Sequence, residues 1–113
     1  MSQAIKIEDR SGVSIVHVEG ALTPIEDDTL VSTVRRLLGK DRAQVILDLK
    51  DVTFMNSNGI GDLVRITAQA NSQGGRVVMA NASPFVSGVF STTKLDQFFE
   101  VCGDIETALD RLS

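Results

Sequence analysis

Cysteine is almost missing from this sequence: Cys102 stands alone among 113 residues, and His17 is the only histidine. No internal disulfide can form, and no set of zinc ligands at a familiar spacing exists, so the expectation is no metal and an intracellular chain. Trp and Tyr are absent, and the 11 Lys and Arg are scattered among 15 Asp and Glu, for a net charge of −4. Nucleic acid requires a basic surface and often aromatic stacking platforms, so it is not an expected partner. Long apolar runs are missing too. None approaches the roughly 18 residues that span a bilayer, and residues 1–20 hold Glu8, Asp9 and Glu19 without a basic segment followed by an apolar one. Neither a signal peptide nor direct membrane contact is expected, and the chain is placed in the cytoplasm.

What remains is ordinary globular composition, 42% hydrophobic and 23% charged. The length suggests one domain over residues 1–113, which buries roughly two thirds of the area its unfolded form exposes. Residues 4–8 and 13–19 are rich in β-branched side chains and flank the turn-forming Asp9-Arg10-Ser11-Gly12, a hairpin pattern. Thr23-Pro24-Ile25-Glu26 then opens a helix, with Thr23 as N-cap, Pro24 at the first position and Glu26 completing a capping box. Leu30, Val34, Leu37 and Leu38 keep helical spacing, with acids Glu26, Asp27 and Asp28 in front, bases Arg35, Arg36 and Lys40 behind, and Gly39 as a stop.

Val45-Ile46-Leu47-Asp48-Leu49 is a short apolar run, the signature of a central strand covered on both faces. Ile60, Leu63, Val64, Thr67 and Ala68 recur at helical spacing until Gln73-Gly74-Gly75, and a strand follows over residues 76–80. A helix from Ser83-Pro84, a short strand over residues 98–102 and a last helix over residues 104–112, with Ile105, Leu109 and Leu112 inward, complete the chain. Strands alternating with helices after a hairpin predict an α/β fold, a mixed central sheet with helices packed on it.

Chemistry concentrates between the central strand and the second helix, in Phe54-Met55-Asn56-Ser57-Asn58-Gly59-Ile60-Gly61. Ser57 is the expected N-cap. The first N–H groups of a helix lack internal partners and carry partial positive charge, so the position suits a serine cap and equally a phosphoserine. Phosphorylation there adds roughly −1.5 to −2 charge units without moving the backbone. Asp62, expected in the first turn, would repel such a phosphate. A serine cap alone is more often structural than regulatory, and Asn58-Gly59 also suits a type I′ hairpin turn, which the following helical spacing disfavours. The segment lacks the further glycine of a dinucleotide fingerprint and the Lys of a P-loop, so no nucleotide cofactor is expected.

Residues 45–61, a hydrophobic strand, an acidic turn and Asn56-Ser57-Asn58-Gly59-Ile60-Gly61, resemble the STAS domain family, in particular the stand-alone bacterial anti-sigma factor antagonists. Val18-Glu19-Gly20-Ala21-Leu22 is similar to the family's second strand, and Ser83-Pro84 through Thr93-Lys94-Leu95-Asp96-Gln97-Phe98-Phe99 to its later helix and strand. The resemblance implies a STAS-like fold and a partner-switching protein. When Ser57 is unmodified it binds an anti-sigma factor that is also a serine kinase; phosphorylation of Ser57 releases it, and a PP2C-type phosphatase resets it. The implied partner-binding surface comprises Leu22, Thr23, Pro24, Ile25, Asn56, Ser57, Asn58, Gly59 and Ile60. Asn56 stands where the family has Asp, Asn58 where it has Ser or Thr, Thr23 where an Asp commonly follows, and Lys94 where a glycine is usual. A left-handed backbone at Lys94 would cost on the order of 1 kcal/mol.

The departures at Asn56 and Asn58 favour an alternative within the family: a non-switching scaffold, or a subunit of a membrane lipid-transport or signalling complex. A rival from another class is a small nucleotide-binding enzyme using residues 56–61, but catalytic residues are not evident. His17 and Cys102 read as structural, Asp48 and Asp51 as turn or solvent residues with no nucleophile beside them, and Asp96, Glu100, Asp104, Glu106 and Asp110 as a solvated face.

Overall fold

A computed structural model of the chain describes residues 4–24, 29–39 and 42–113. Five strands form one sheet in the order β1-β2-β3-β4-β5: β1 (Ala4–Arg10), β2 (Val13–Leu22), β3 (Gln44–Met55), β4 (Arg76–Ala80) and β5 (Glu100–Cys102). Ser11 and Gly12, with φ of 55° and 87°, supply the two left-handed residues of a tight hairpin turn, which sets β1 antiparallel to β2. Every later pairing is parallel. The helices are α1 (Thr29–Leu37), α2 (Ser57–Ser72), α3 (Pro84–Thr92) and α4 (Ile105–Leu112). This is the mixed α/β sheet the alternation predicts.

Burial is continuous along β3 from Val45 to Leu49, as a strand covered on both faces requires, with alternate side chains entering opposite layers. Val45, Leu47 and Leu49 join Val16, Val18 and Met79 beneath α1, α2 and α3, where Leu30, Val34, Leu63, Ile66, Val86 and Phe90 close the larger core. Ile46 points the other way, with Ile15, Val78 and Cys102, against Ala108 and Leu112 of α4. Three helices thus pack on one face and one short helix on the other. Cys102 is a buried core residue, as expected.

The strand bearing the motif is longer than its apolar run. Beyond Asp48, β4 has ended and only β2 continues beside β3, so Lys50, Asp51, Thr53 and Phe54 keep strand geometry while remaining exposed. Two register shifts in the β2–β3 pairing bend this extension and deliver Met55 opposite Leu22. The inward stripe of α2 is also rotated from the expected one. Gly59, Asp62, Leu63, Ile66, Thr67 and Ala70 are buried, whereas Ala68 is exposed and Ile60 and Val64 are half-buried.

The expected start of α1 falls partly on residues 25–28. Ile25, Glu26, Asp27 and Asp28, and likewise Lys40, lie outside the described residues, while Thr23 and Pro24 sit outside regular structure. The starts of α3 and α4 follow the sequence. Ser83 Oγ accepts from the Val86 N–H at 3.2 Å, and Asp104 Oδ1 from the Thr107 N–H at 2.8 Å. Lys94 does adopt the left-handed conformation, with φ 61° and ψ 20°, where a glycine would be unstrained.

Candidate functional site

The first turn of α2 is fixed by its neighbours rather than by its own length. Asn56, not Ser57, is the N-cap: in extended conformation, it accepts from the Gly59 N–H through Oδ1 at 3.0 Å. Both residue types cap well, and here the asparagine one position earlier takes the role. Ser57 becomes the first helical residue, exposed, with its hydroxyl not engaged as the cap.

Three contacts then bind this turn to the end of β2. The Asn56 N–H donates to the Leu22 carbonyl at 3.3 Å, and Asn58 Nδ2 donates to the Pro24 carbonyl at 3.1 Å. Gly59 packs so closely on the same strand end that an added Cβ would lie 2.2 Å from the Leu22 carbonyl oxygen. Leu22, Thr23, Pro24, Asn56, Asn58 and Gly59 are therefore one assembly. Of the residues expected on a partner surface, Leu22, Pro24 and Gly59 are buried and hold the site from behind. Ser57 and Asn58 are exposed, and Thr23, Asn56 and Ile60 are half-buried.

Electrostatics around Ser57 differ from expectation in one respect. Asp62 is the sixth residue of α2, in its second turn, buried rather than exposed, and ion-paired with Arg65. A guanidinium that already neutralises this carboxylate weakens its repulsion of any negative charge at the helix start, where the partial positive charge of the N-terminus acts in the opposite sense.

A second polar cluster, invisible in the local pattern, lies across three strands. His17 on β2 bridges Asp48 Oδ2 on β3 at 2.6 Å through Nδ1 and Glu8 Oε1 on β1 at 3.0 Å through Nε2. Asp48 is buried, and its Oδ1 also accepts from the Lys50 N–H and from Asn81 Nδ2, each at 3.1 Å. Burial opposes the charge on His17, but hydrogen bonds to Glu8 and Asp48 and their negative charges outweigh it and raise its pKa. Burial likewise opposes the Asp48 carboxylate, yet the bonds from His17, Lys50 and Asn81 prevail and lower its pKa. Asp48 is thus a partnered structural carboxylate rather than a turn or solvent residue. Among the described residues no group of three or more His, Cys, Asp or Glu is arranged to hold a metal ion, and no helix is long and apolar enough to cross a membrane.

The STAS domain family model matches residues 4–108. The chain belongs to the STAS domain family. A relative in Paenibacillus polymyxa, an anti-sigma F factor antagonist, is 24% identical over 113 residues, covering 99% of this chain and 97% of its own. The STAS fold seen here superposes on an anti-sigma factor antagonist from Mycobacterium paratuberculosis with a TM-score of 0.81 at 24% identity, covering 98% and 94% of the two chains. It also matches the Bacillus cell fate determinant SpoIIAA in its phosphorylated form, with a TM-score of 0.72 at 20% identity and coverage of 97% and 100%.

Proposed function

We propose that this STAS domain is an anti-sigma factor antagonist whose binding is controlled by phosphorylation of Ser57. The observation that carries the reading is an exposed serine hydroxyl at the first position of α2, with the cap bond already made by Asn56. An anti-sigma factor that is also a serine kinase is the partner, docking on Ser57, Asn58 and the half-buried Thr23, Asn56 and Ile60. In the modification step, Ser57 Oγ attacks the γ-phosphorus of ATP, the bond from that phosphorus to the ADP oxygen breaks, and the hydroxyl proton leaves to the kinase or solvent. A PP2C-type phosphatase reverses the result by hydrolysis.

The charge change is large and local. A phosphoserine brings roughly −1.5 to −2 units, while the helix N-terminus returns only about 0.3–1 kcal/mol of stabilisation to it. The phosphate therefore persists without reorganising the fold. Opposed to a partner shaped for the neutral hydroxyl, an uncompensated charge costs several kcal/mol, enough to empty a complex of micromolar affinity. The similarity to a phosphorylated relative supports this reading.

The test is incubation with an anti-sigma-type serine kinase of the same genome and Mg-ATP, followed by peptide mapping and a binding assay. One phosphoryl group on Ser57, loss of binding by Ser57→Asp and retained binding by Ser57→Ala are expected. Phosphate at another residue, or Ser57→Asp binding as tightly as the unmodified protein, overturns the proposal.

A further inference from the structure

The outer edge of the sheet is written in a self-complementary pattern, and the geometry points to β1 as a surface that pairs antiparallel with β1 of a second copy of this chain. Such pairing is independent of any modification of Ser57.

Hydrogen-bond parity comes first. Across the two-residue turn, Arg10 and Val13 are the pair that exchanges backbone bonds, and such pairs alternate along an antiparallel ladder. Arg10, Glu8 and Lys6 consequently direct their N–H and C=O groups at β2, while Asp9, Ile7 and Ile5 direct theirs outward from the sheet edge. A two-fold axis at Ile7 places Ile7 opposite Ile7 of the second copy and Ile5 opposite Asp9. Each of these is a pair of outward-facing residues able to exchange two N–H···O bonds.

The side chains select that alignment over its neighbours. Between the hydrogen-bonded pairs, where opposing side chains approach most closely, Lys6 meets Glu8 of the second copy and Glu8 meets its Lys6. Sliding by two residues one way sets Lys6 against Lys6, and the other way Glu8 against Glu8. Sliding by one residue mismatches the two faces of the sheet. Charges on an edge strand ordinarily block pairing; here the opposite signs flank Ile7 symmetrically, so they favour this alignment and oppose the two nearest ones that keep the faces matched. On the other face Ile7 is 48% exposed, and the second copy's Ile7 would cover it.

The full-length chain, followed by sedimentation equilibrium over a wide concentration range, is expected to rise from the mass of one chain towards twice that mass. Lys6→Glu and Glu8→Lys should each weaken association by about tenfold, since two attractive cross-strand pairs become repulsive. An equimolar mixture of the two variants should restore it, because only in the mixed pair does a strand carrying two acids at these positions face a strand carrying two bases. Amide exchange should slow at Ile5, Ile7 and Asp9 in concentrated samples relative to dilute ones. A mass that stays at one chain throughout overturns the proposal, as do single variants that associate like the parent, or a mixture of folded variants that fails to regain association.

Discussion

Alanine placed at two glycines of the same helix should act in opposite directions, because only one of them touches another strand. Gly59 and Gly61 both lie near the start of α2, and in either place alanine relieves the backbone entropy that glycine costs a helix, worth about 0.5–1 kcal/mol. At Gly61 the new Cβ finds only Arg65 Nη1 at 4.0 Å, an ordinary contact, so the gain survives. At Gly59 the Cβ would sit 2.2 Å from the Leu22 carbonyl oxygen and 3.0 Å from Leu22 Cγ. A backbone oxygen cannot swing aside as a side-chain tip does, so the β2 end or the helix start must move.

Overpacking of this kind costs about 1–3 kcal/mol, and the displacement also threatens the Asn58–Pro24 and Asn56–Leu22 bonds at the same seam. Once the relieved glycine entropy is set against this cost, the net expectation for Gly59→Ala is a loss of up to about 2.5 kcal/mol, against a gain of about 0.5–1 kcal/mol for Gly61→Ala. With no Trp or Tyr in the chain, urea unfolding followed by far-UV circular dichroism is the assay. In thermal melts the two variants should diverge by several degrees, at about 4 °C per kcal/mol for a domain near this size. Equal shifts of the same sign would refute the close approach, and with it the account of how the Leu22–Pro24 loop end is held beside Ser57.

Lys94→Gly should stabilise the protein by about 0.5–1 kcal/mol in the same unfolding assay, since glycine adopts the left-handed backbone without the Cβ penalty. For the His17–Asp48 cluster the signs are opposite for the two groups. The raised His17 pKa contributes stability that is complete below its unfolded value near 6.5 and fades as pH rises through the folded value. The lowered Asp48 pKa contributes above its unfolded value near 3.8 and fades as pH falls through the folded one. Urea midpoints across pH should therefore show the cluster's contribution fullest between those two values, and His17→Ala should flatten the loss on the alkaline side. That variant should also cost about 1–3 kcal/mol near pH 6, because Asp48 stays buried with one partner fewer. Asn58→Ala should lower stability by about 1 kcal/mol or less through its lost bond to Pro24, and weaken partner binding by more than that change in stability explains.

Period and punctuation made most of the fold legible, because each element states its own pattern: alternating β-branched residues at β1 and β2, an apolar run at β3, Ser-Pro before α3, Asp104 before α4. What escaped was set by contacts between distant segments. The extension of β3 to Met55 depends on β2 running beside it, which composition at Lys50, Asp51 and Thr53 does not announce. Asp62 reads as a first-turn acid facing Ser57 until the inward face of α2 is placed, although Arg65 three positions on was a usable sign of its partner. His17 and Asp48 are 31 residues apart, and only the β2–β3 register brings them together. At the site itself, the motif located the helix start to within one residue; choosing Asn56 over Ser57 as cap required the position of the Gly59 N–H.

That one-residue difference bears on how the switch would work. A serine acting as cap has its oxygen committed to a backbone donor, and phosphorylating it would exchange one helix contact for another. With Asn56 in that role, the Ser57 oxygen is not committed as the cap, and the proposed modification would break no cap bond. The amides at positions 56 and 58 hold the frame of the turn, since Asn56 caps and Asn58 ties down the Pro24 carbonyl. They also leave Asn56 through Gly61 without a charged side chain before modification. The proposed phosphate, of roughly −1.5 to −2 units, would then enter a motif with no carboxylate at position 56. Under the proposed switch, a partner that accepts the unmodified motif would meet that change as unpaired charge, so the motif's lack of an acid would alter which partner surface fits while keeping the charge contrast that the proposed release needs.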